Sequence, residues 1–393
     1  MGVDIKAYAG REQAYVKHYF LDSYLQSLVF KVASSYDHIV YVDGFSGPWQ
    51  SGGENFNDTS FGIALNVLRS AKKKWRQINP NRTIRVTAHL VEKSKASFSE
   101  LNKIPPKYPD IEVIPHRGDF VALAEELANS ISKDAFAFLF IDPKGWKIDM
   151  QGISKLLGLP NCEVVFNFMF DFINRAASMK DPALVKSLDK LITAEEWREK
   201  LIAAVGEEKP NRGPILVDAF STTLANVGGY KFAAAIPVLR PLKDRPLYYL
   251  VYATRKPPGI EVFRNCHIDT LQRQSKVRGA TKLATSTSQT GQSEAFAFDE
   301  MNTTDVDKYL REEAAAAKAY LYEITPIAPE NAAYGDIWPR VLTKHAIKKT
   351  ELNKLAAAAR QDKSIEFLNW EDRHRVPSDH YIMQRTRSSL FDI

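Results

Sequence analysis

Four acidic residues in this 393-residue chain stand where an open α/β sheet offers side chains to a nucleotide, and each closes or directly follows an apolar run of strand character: Asp43, Glu92, Asp119 and Asp142. In the segment Asp43-Gly-Phe-Ser-Gly-Pro-Trp49, Gly44 and Gly47 flank Phe45 and permit a tight turn with close backbone approach to a ligand. Asp43 can accept a hydrogen bond from a cationic amino group or an ordered water. Glu92 ends the next strand, where an acid takes both ribose hydroxyls of an adenosine. The path from Asp43 to Glu92 is much longer than the roughly 20 residues of the standard fingerprint, so 56–82 must be an elaborated connection. The plainer reading of Glu92 is a surface acid before a Lys-rich helix. Gly118-Asp119 stand where such a sheet contacts an adenine amino group, although Asp119 can also cap the helix starting at Phe120.

A second group has the chemistry of an acceptor site. In Asp142-Pro-Lys-Gly-Trp146, Asp142 can present its carboxylate, and Pro143 a backbone carbonyl, to an exocyclic amine, while Trp146 stacks on an extruded base. Asp142, Pro143 and Trp146 are therefore the candidate catalytic residues. Lys144, Asn167, Phe168 and Arg175 are candidate substrate contacts, Phe168 as an alternative stacking partner. The plainer readings are a turn with an Asp cap and a core Trp, and a helix cap for Asn167. Eight histidines are scattered, no metal constellation forms and no Ser/His/Asp set can be assigned.

These residues need a sheet to gather them. Strands are expected over His38–Asp43, Ile84–Glu92, Ile111–Ile114, Phe136–Asp142 and Glu163–Phe170, separated by helical segments. An amphipathic helix over Glu12–Ala33 precedes them. After Phe170, 171–211 looks helical and inserted, 214–226 gives another helix, and Lys231–Leu239 and Leu247–Ala253 form a hairpin. Five β-α units closed by a hairpin are the pattern of class I methyltransferases, and a purely parallel dinucleotide-binding sheet does not end this way. Ser286–Ser293 reads as a polar loop and 305–323 as an alanine-rich helix. From Ala332 a helix through Trp338 and Leu342, an N-cap at Thr350, a helix to Arg360 and two short strands within 365–385 resemble a winged helix-turn-helix.

The expected fold is thus α/β: a seven-stranded Rossmann-like class I methyltransferase sheet with a helical insertion and a C-terminal winged-helix-like domain. The expected divisions are 1–285 for the sheet domain, 286–330 for a linker and helix, and 331–393 for the tail. The cofactor expected at Asp43, Gly44, Phe45, Gly47, Glu92, Gly118 and Asp119 is S-adenosylmethionine.

Two cysteines, Cys162 and Cys266, make no disulfide framework, no apolar run is long enough to span a bilayer, and residues 1–11 lack a signal-peptide core. A cytoplasmic protein with no membrane association is the expectation. Net charge is +6 at pH 7, and between Arg240 and Lys282 ten Lys or Arg face three acids. That excess suits a nucleic-acid partner or, equally, a solvated basic face.

The Asp142 segment resembles the Asp-Pro-Pro-aromatic signature of amino-methyltransferases, with Lys144 in place of the second Pro and the Trp one place late. Over most of its length the chain resembles the three-Cys-motif partner (TcmP) family. The match runs through Lys17-His18, Tyr41-Val-Asp-Gly-Phe-Ser-Gly-Pro48, Leu139-Phe-Ile-Asp-Pro143, Val165-Phe-Asn-Phe-Met-Phe-Asp-Phe-Ile-Asn-Arg175 and Tyr248-Tyr-Leu-Val-Tyr-Ala-Thr254 with Gly259 behind it. Family members tend to have Gly where this chain has Trp49, whose ring could cover the cofactor or fill part of its site. The resemblance implies a methyltransferase-like fold and a partner protein with a three-cysteine motif, in mobile-element or defence settings. Methyl transfer to a nucleic-acid base amino group is the leading expectation. A non-catalytic nucleic-acid or partner-binding module is the rival, and a nicotinamide oxidoreductase fits Glu92 but not Asp142-Pro143 or the hairpin.

Overall fold

The computed structural model describes residues 3–47, 56–177, 181–204, 212–290, 295–371 and 373–385; Trp49 lies outside them. By its internal contacts the chain divides into two compact units, Met1–Gly259 and Ile260–Ile393.

In the first unit α1 (Glu12–Val32) precedes β1 (His38–Asp43), α2 (Ser60–Ile78), β2 (Arg85–Glu92), α3 (Lys95–Leu101), β3 (Glu112–Arg117), α4 (Phe120–Ser130) and β4 (Phe136–Ile141). Then come α5 (Ser154–Leu157), β5 (Cys162–Phe168), α6 (Phe170–Ala176), α7 (Pro182–Leu191), α8 (Trp197–Ala204), α9 (Arg212–Gly228), β6 (Phe232–Leu239) and β7 (Pro246–Thr254). The strands form one sheet in the order β3-β2-β1-β4-β5-β7-β6. β1 to β5 pair in parallel, while β7 runs antiparallel to both β5 and β6. This is the seven-stranded sheet of the Rossmann-like methyltransferase fold, with β7 between β5 and β6.

Burial follows position in that order. Every residue of β4 and β5 is buried, as expected of strands covered by helices on both faces. The outer strands are only partly buried, β6 in alternation, and each contains a proline, Pro115 in β3 and Pro237 in β6. Proline offers no N–H to a further strand, so both are suited to the edges they occupy. Phe170 was expected to end β5, yet it opens α6, because the chain leaves the sheet at Met169.

A buried polar network ties α1 to the sheet. Tyr24 donates to Glu163 Oε2 (2.5 Å) and lies 3.0 Å from the Tyr252 hydroxyl, while Thr254 donates to Glu163 Oε1 (2.9 Å). Burial raises the Glu163 carboxyl above its usual range and drives both tyrosines well above theirs.

The boundary between units falls inside α10 (Pro257–Thr290), not near residue 285. Ser286–Thr290, expected as loop, is the last part of that helix. In the second unit α11 (Ala295–Ile324), β8 (Ala332–Ala333), α12 (Tyr334–Lys344), α13 (Lys349–Gln361), β9 (Ile365–Phe367) and β10 (Ile382–Arg385) follow, with the sheet order β8-β10-β9. Thr350 is not an N-cap: Lys348 holds that position and makes no side-chain cap bond. Arg264 of α10 is buried, and its guanidinium donates to the carbonyls of Leu342 (2.5 Å) and Thr343 (2.8 Å) in the last turn of α12, where carbonyls lack helical partners. With Arg255 bonded to the carbonyls of Leu157 and Cys162, two of the ten cations between 240 and 282 are structural. The basic excess is therefore not one surface. No helix of the described residues is long and apolar enough to cross a membrane.

Candidate functional site

β1 and β4 are neighbours whose connections leave in opposite directions, which opens a crevice at their carboxyl ends. A cavity of about 330 Å³ lies there. Phe45 and Gly47 line it after β1, Asp142, Pro143 and Lys144 after β4, Asn167 and Met169 after β5, and Tyr248 from β7. Four lining residues were not anticipated as site residues: Arg11 and Lys17, from the N-terminal segment and α1, and Asp58 and Ser60, on either side of the α2 N-cap.

Asp142 is held from two sides. Lys17 Nζ bonds its Oδ2, and Asn167 Nδ2 donates to its Oδ1. A carboxylate only accepts, so the Asn167 amide must turn its NH2 group toward Asp142. Asn167 is buried, and its Oδ1 has no hydrogen-bond partner among the described residues. A buried acceptor left this way costs about 1–3 kcal/mol, an expense that an N–H donor on a ligand removes.

Asp43 plays a different part from the one expected. It is fully buried; Oδ1 accepts from Phe45 N–H (3.0 Å), and Oδ2 accepts from the hydroxyls of Ser60 (2.8 Å) and Tyr41 (3.2 Å). Its oxygens brace the glycine turn from inside. Gly44 allows the turn to seat against α4, because a Cβ there would meet the Phe120 ring at 3.0 Å. Burial pushes the Asp43 carboxyl up to about 6. The folded value exceeds the unfolded one, so this group favours the folded state fully below about pH 4 and loses that contribution as pH rises through 6. Asp43→Asn keeps the shape without the charge. Its stability relative to the parent should therefore improve by about 2 kcal/mol between pH 4.5 and 7.5 in urea unfolding. An unchanged gap between the two proteins at both pH values would refute the buried charge.

Glu92 is buried at the end of β2, where Oε1 accepts from Ser94 N–H (2.5 Å) and the other oxygen has no bond to a described residue. Gly118 N–H donates to the Glu92 carbonyl (3.1 Å). Asp119 caps α4 through Val121 N–H (3.0 Å) and also bonds Lys93 (3.0 Å). Burial alone would raise its carboxyl, but Lys93 and the helix N–H groups hold it below the usual range. Glu92, Gly118 and Asp119 lie at the β2 and β3 ends, outside the cavity. The residues available fit S-adenosylmethionine: Glu92 at the end of β2, with one oxygen unbonded to described residues, for a ribose, and a glycine turn after β1.

Three expected contacts lie elsewhere. Trp146 donates from Nε1 to Ser187 (2.9 Å) on α7 and packs against the core. Phe168 is fully buried, its ring 4.6 Å from that of Phe220, so it is a core ring and not a stacking platform. Arg175 points to Asp171 and Phe172 instead of lining the cavity.

No family model and no curated protein matches the chain. Among solved structures, similar chains include protein LPL1258 from Legionella pneumophila, at 12% identity over 62% of this chain and 88% of the other, with a TM-score of 0.35. M. jannaschii TYW2 in complex with AdoMet is 13% identical over 58% and 73%, with a TM-score of 0.27. A loganic acid methyltransferase with SAH is 9% identical over 78% and 92%, at 0.30. Likeness this distant says nothing of what this chain binds, and the fold rests on its own strand order.

Proposed function

We propose that this chain is an S-adenosylmethionine-dependent methyltransferase acting on an amino group of a nucleic-acid base. The observation that carries the reading is the buried Asn167 Oδ1 without a partner, set beside an Asp142 carboxylate that Lys17 holds in place. Glu92, Gly118 and Asp119 would hold the adenosine half of the cofactor, and the turn from Gly44 to Gly47 its methionine half. When bound, that cofactor supplies an electrophilic methyl group. An amine acceptor then needs to be placed and desolvated more than deprotonated by a strong base. Asn167 Oδ1 and the Pro143 carbonyl can accept its N–H groups, while Asp142 fixes the amide and Lys17 fixes Asp142.

A non-catalytic binding module is the second reading, and one observation favours it: both Asp142 oxygens already accept hydrogen bonds. Membership of the three-Cys-motif partner family, with its cysteine-motif partner and mobile-element or defence setting, is proposed on the sequence resemblance alone. A winged-helix reading of the second unit is supported by the order α11, β8, α12, α13, β9, β10 and by the pairing of β8 with β10.

Calorimetry with S-adenosylmethionine tests the enzyme reading. Binding is expected, and Glu92→Ala should weaken it about tenfold or more through lost hydrogen bonds to a charged group. No binding at millimolar cofactor would leave only the module.

A further inference from the structure

Two residues after the cavity-lining Met169, one buried carboxylate gathers three guanidinium groups. Asp171, in the first turn of α6, is 4% exposed. Its Oδ2 lies 3.3 Å from Arg175 and 2.8 Å from Arg240, and its Oδ1 lies 2.5 Å from Arg245. Arg175 comes from α6 itself, whereas Arg240 and Arg245 flank the turn between β6 and β7. One carboxylate cannot neutralise three guanidiniums, and a purely structural tie between α6 and that turn needs only one of them. The same turn adds Lys243 and Asp244.

The arginine side chains remain 57%, 36% and 52% exposed for Arg175, Arg240 and Arg245. Asp171 thus fixes their inner edges and leaves area for a second anion, the arrangement suited to phosphate recognition. An aromatic surface accompanies the charge. Phe172 is 42% exposed, and the Arg175 guanidinium lies 5.0 Å from its ring centroid. Asn167 and Met169, just before α6, and Leu247 and Tyr248, just after the turn, line the cavity. Charge, exposed ring and cavity are therefore contiguous along both chain segments.

We propose that Arg175, Arg240 and Arg245 grip the phosphodiester backbone of a single-stranded nucleic acid at the rim of the cavity, with Phe172 offering a stacking face to a base. The proposal rests on the nucleic-acid substrate reading above but needs no methyl transfer. A guanidinium cluster supplies the sequence-independent charge, and an exposed aromatic ring supplies sequence-tolerant stacking.

The test is fluorescence anisotropy of the full chain with labelled dT12 and rU12 at 50 and 200 mM NaCl, without cofactor. Affinity for at least one oligonucleotide should fall steeply with salt. Arg240→Gln/Arg245→Gln, which leaves Arg175 to pair Asp171, should weaken it about tenfold or more and flatten the log–log salt slope by about 1.4. Phe172→Ala touches no buried charge and should weaken it about 5- to 100-fold. Preference for dT12 or rU12 tells DNA from RNA, and either supports the proposal. Wild-type affinity in folded samples of both variants, or equal binding of labelled polyglutamate, overturns it. Oligonucleotide binding without cofactor binding would sink the enzyme reading alone; cofactor binding with no oligonucleotide binding would sink this proposal alone.

Discussion

Under the proposed methyltransferase reading, Asp142→Asn should leave S-adenosylmethionine binding within about threefold of the parent while slowing methyl transfer by about two to four orders of magnitude. The reason lies in donor and acceptor counting. Asp142 accepts from Lys17 on one oxygen and from Asn167 on the other. An amide at position 142 has one acceptor and one NH2 group. With its carbonyl on the Lys17 ammonium, that NH2 group faces Asn167, which can pair with it only by turning its own carbonyl toward residue 142. The tie then survives, but the Asn167 carbonyl faces residue 142 and no longer the acceptor site. Misplacement of this size acts on kcat more than on KM, because the geometry serves the reacting atoms and not general affinity. Single-turnover transfer of labelled methyl to an oligonucleotide reads the loss, with calorimetry as the control. Lys17→Met should give a similar loss, and the double variant should be no worse than the poorer single, since the residues act as a unit. An unchanged kcat in Asp142→Asn would remove this residue from the chemistry.

Gly259→Ala is expected to destabilise the first unit by about 3 kcal/mol or more. A Cβ at 259 would stand 2.3 Å from Glu163 Oε1, 2.4 Å from the Tyr252 hydroxyl and 2.7 Å from Thr254 Oγ1. None of these can step aside cheaply: Glu163, Tyr252 and Thr254 are all buried, and with Tyr24 they bond one another. Displacing any of them leaves a buried polar group unsatisfied. Urea unfolding measures the change. Adding Tyr252→Phe should return part of it by removing one colliding oxygen. A Gly259→Ala midpoint equal to that of the parent would show that the network yields freely.

The sheet was largely legible because its central strands are continuous apolar runs with polar ends. His38–Asp43 is found as read, and the hairpin that closes the sheet is where the pattern places it. α10 was missed for a physical reason. It opens on Pro257 and Pro258, and proline suits the first turn of a helix, where no N–H is needed. At the site, sequence placed Asp142 and Asn167 in one region but not the bond from Lys17 to Asp142, which spans 125 residues. The only signal for Lys17 was its place in a resembling motif. Trp146 and Phe168 show a second limit: an aromatic residue that stacks on a ligand and one that fills a core have the same local signature. Arg240 and Arg245 were visible only as part of a charge excess, since nothing local ties them to Asp171.

α1 precedes every strand of the sheet in the chain, yet several of its fastenings are made by residues that arrive much later. Tyr24 meets Glu163 across 139 residues and Tyr252 across 228, and Tyr248 donates to the Gln13 carbonyl across 235. A nascent chain must therefore carry α1 without these bonds until the β6–β7 hairpin has left the ribosome. Closing such distant contacts is the slow part of assembling a fold. A chain arrested before Tyr248 would already contain Lys17, Asp142 and Asn167, but would lack the strand that fastens α1 against the sheet.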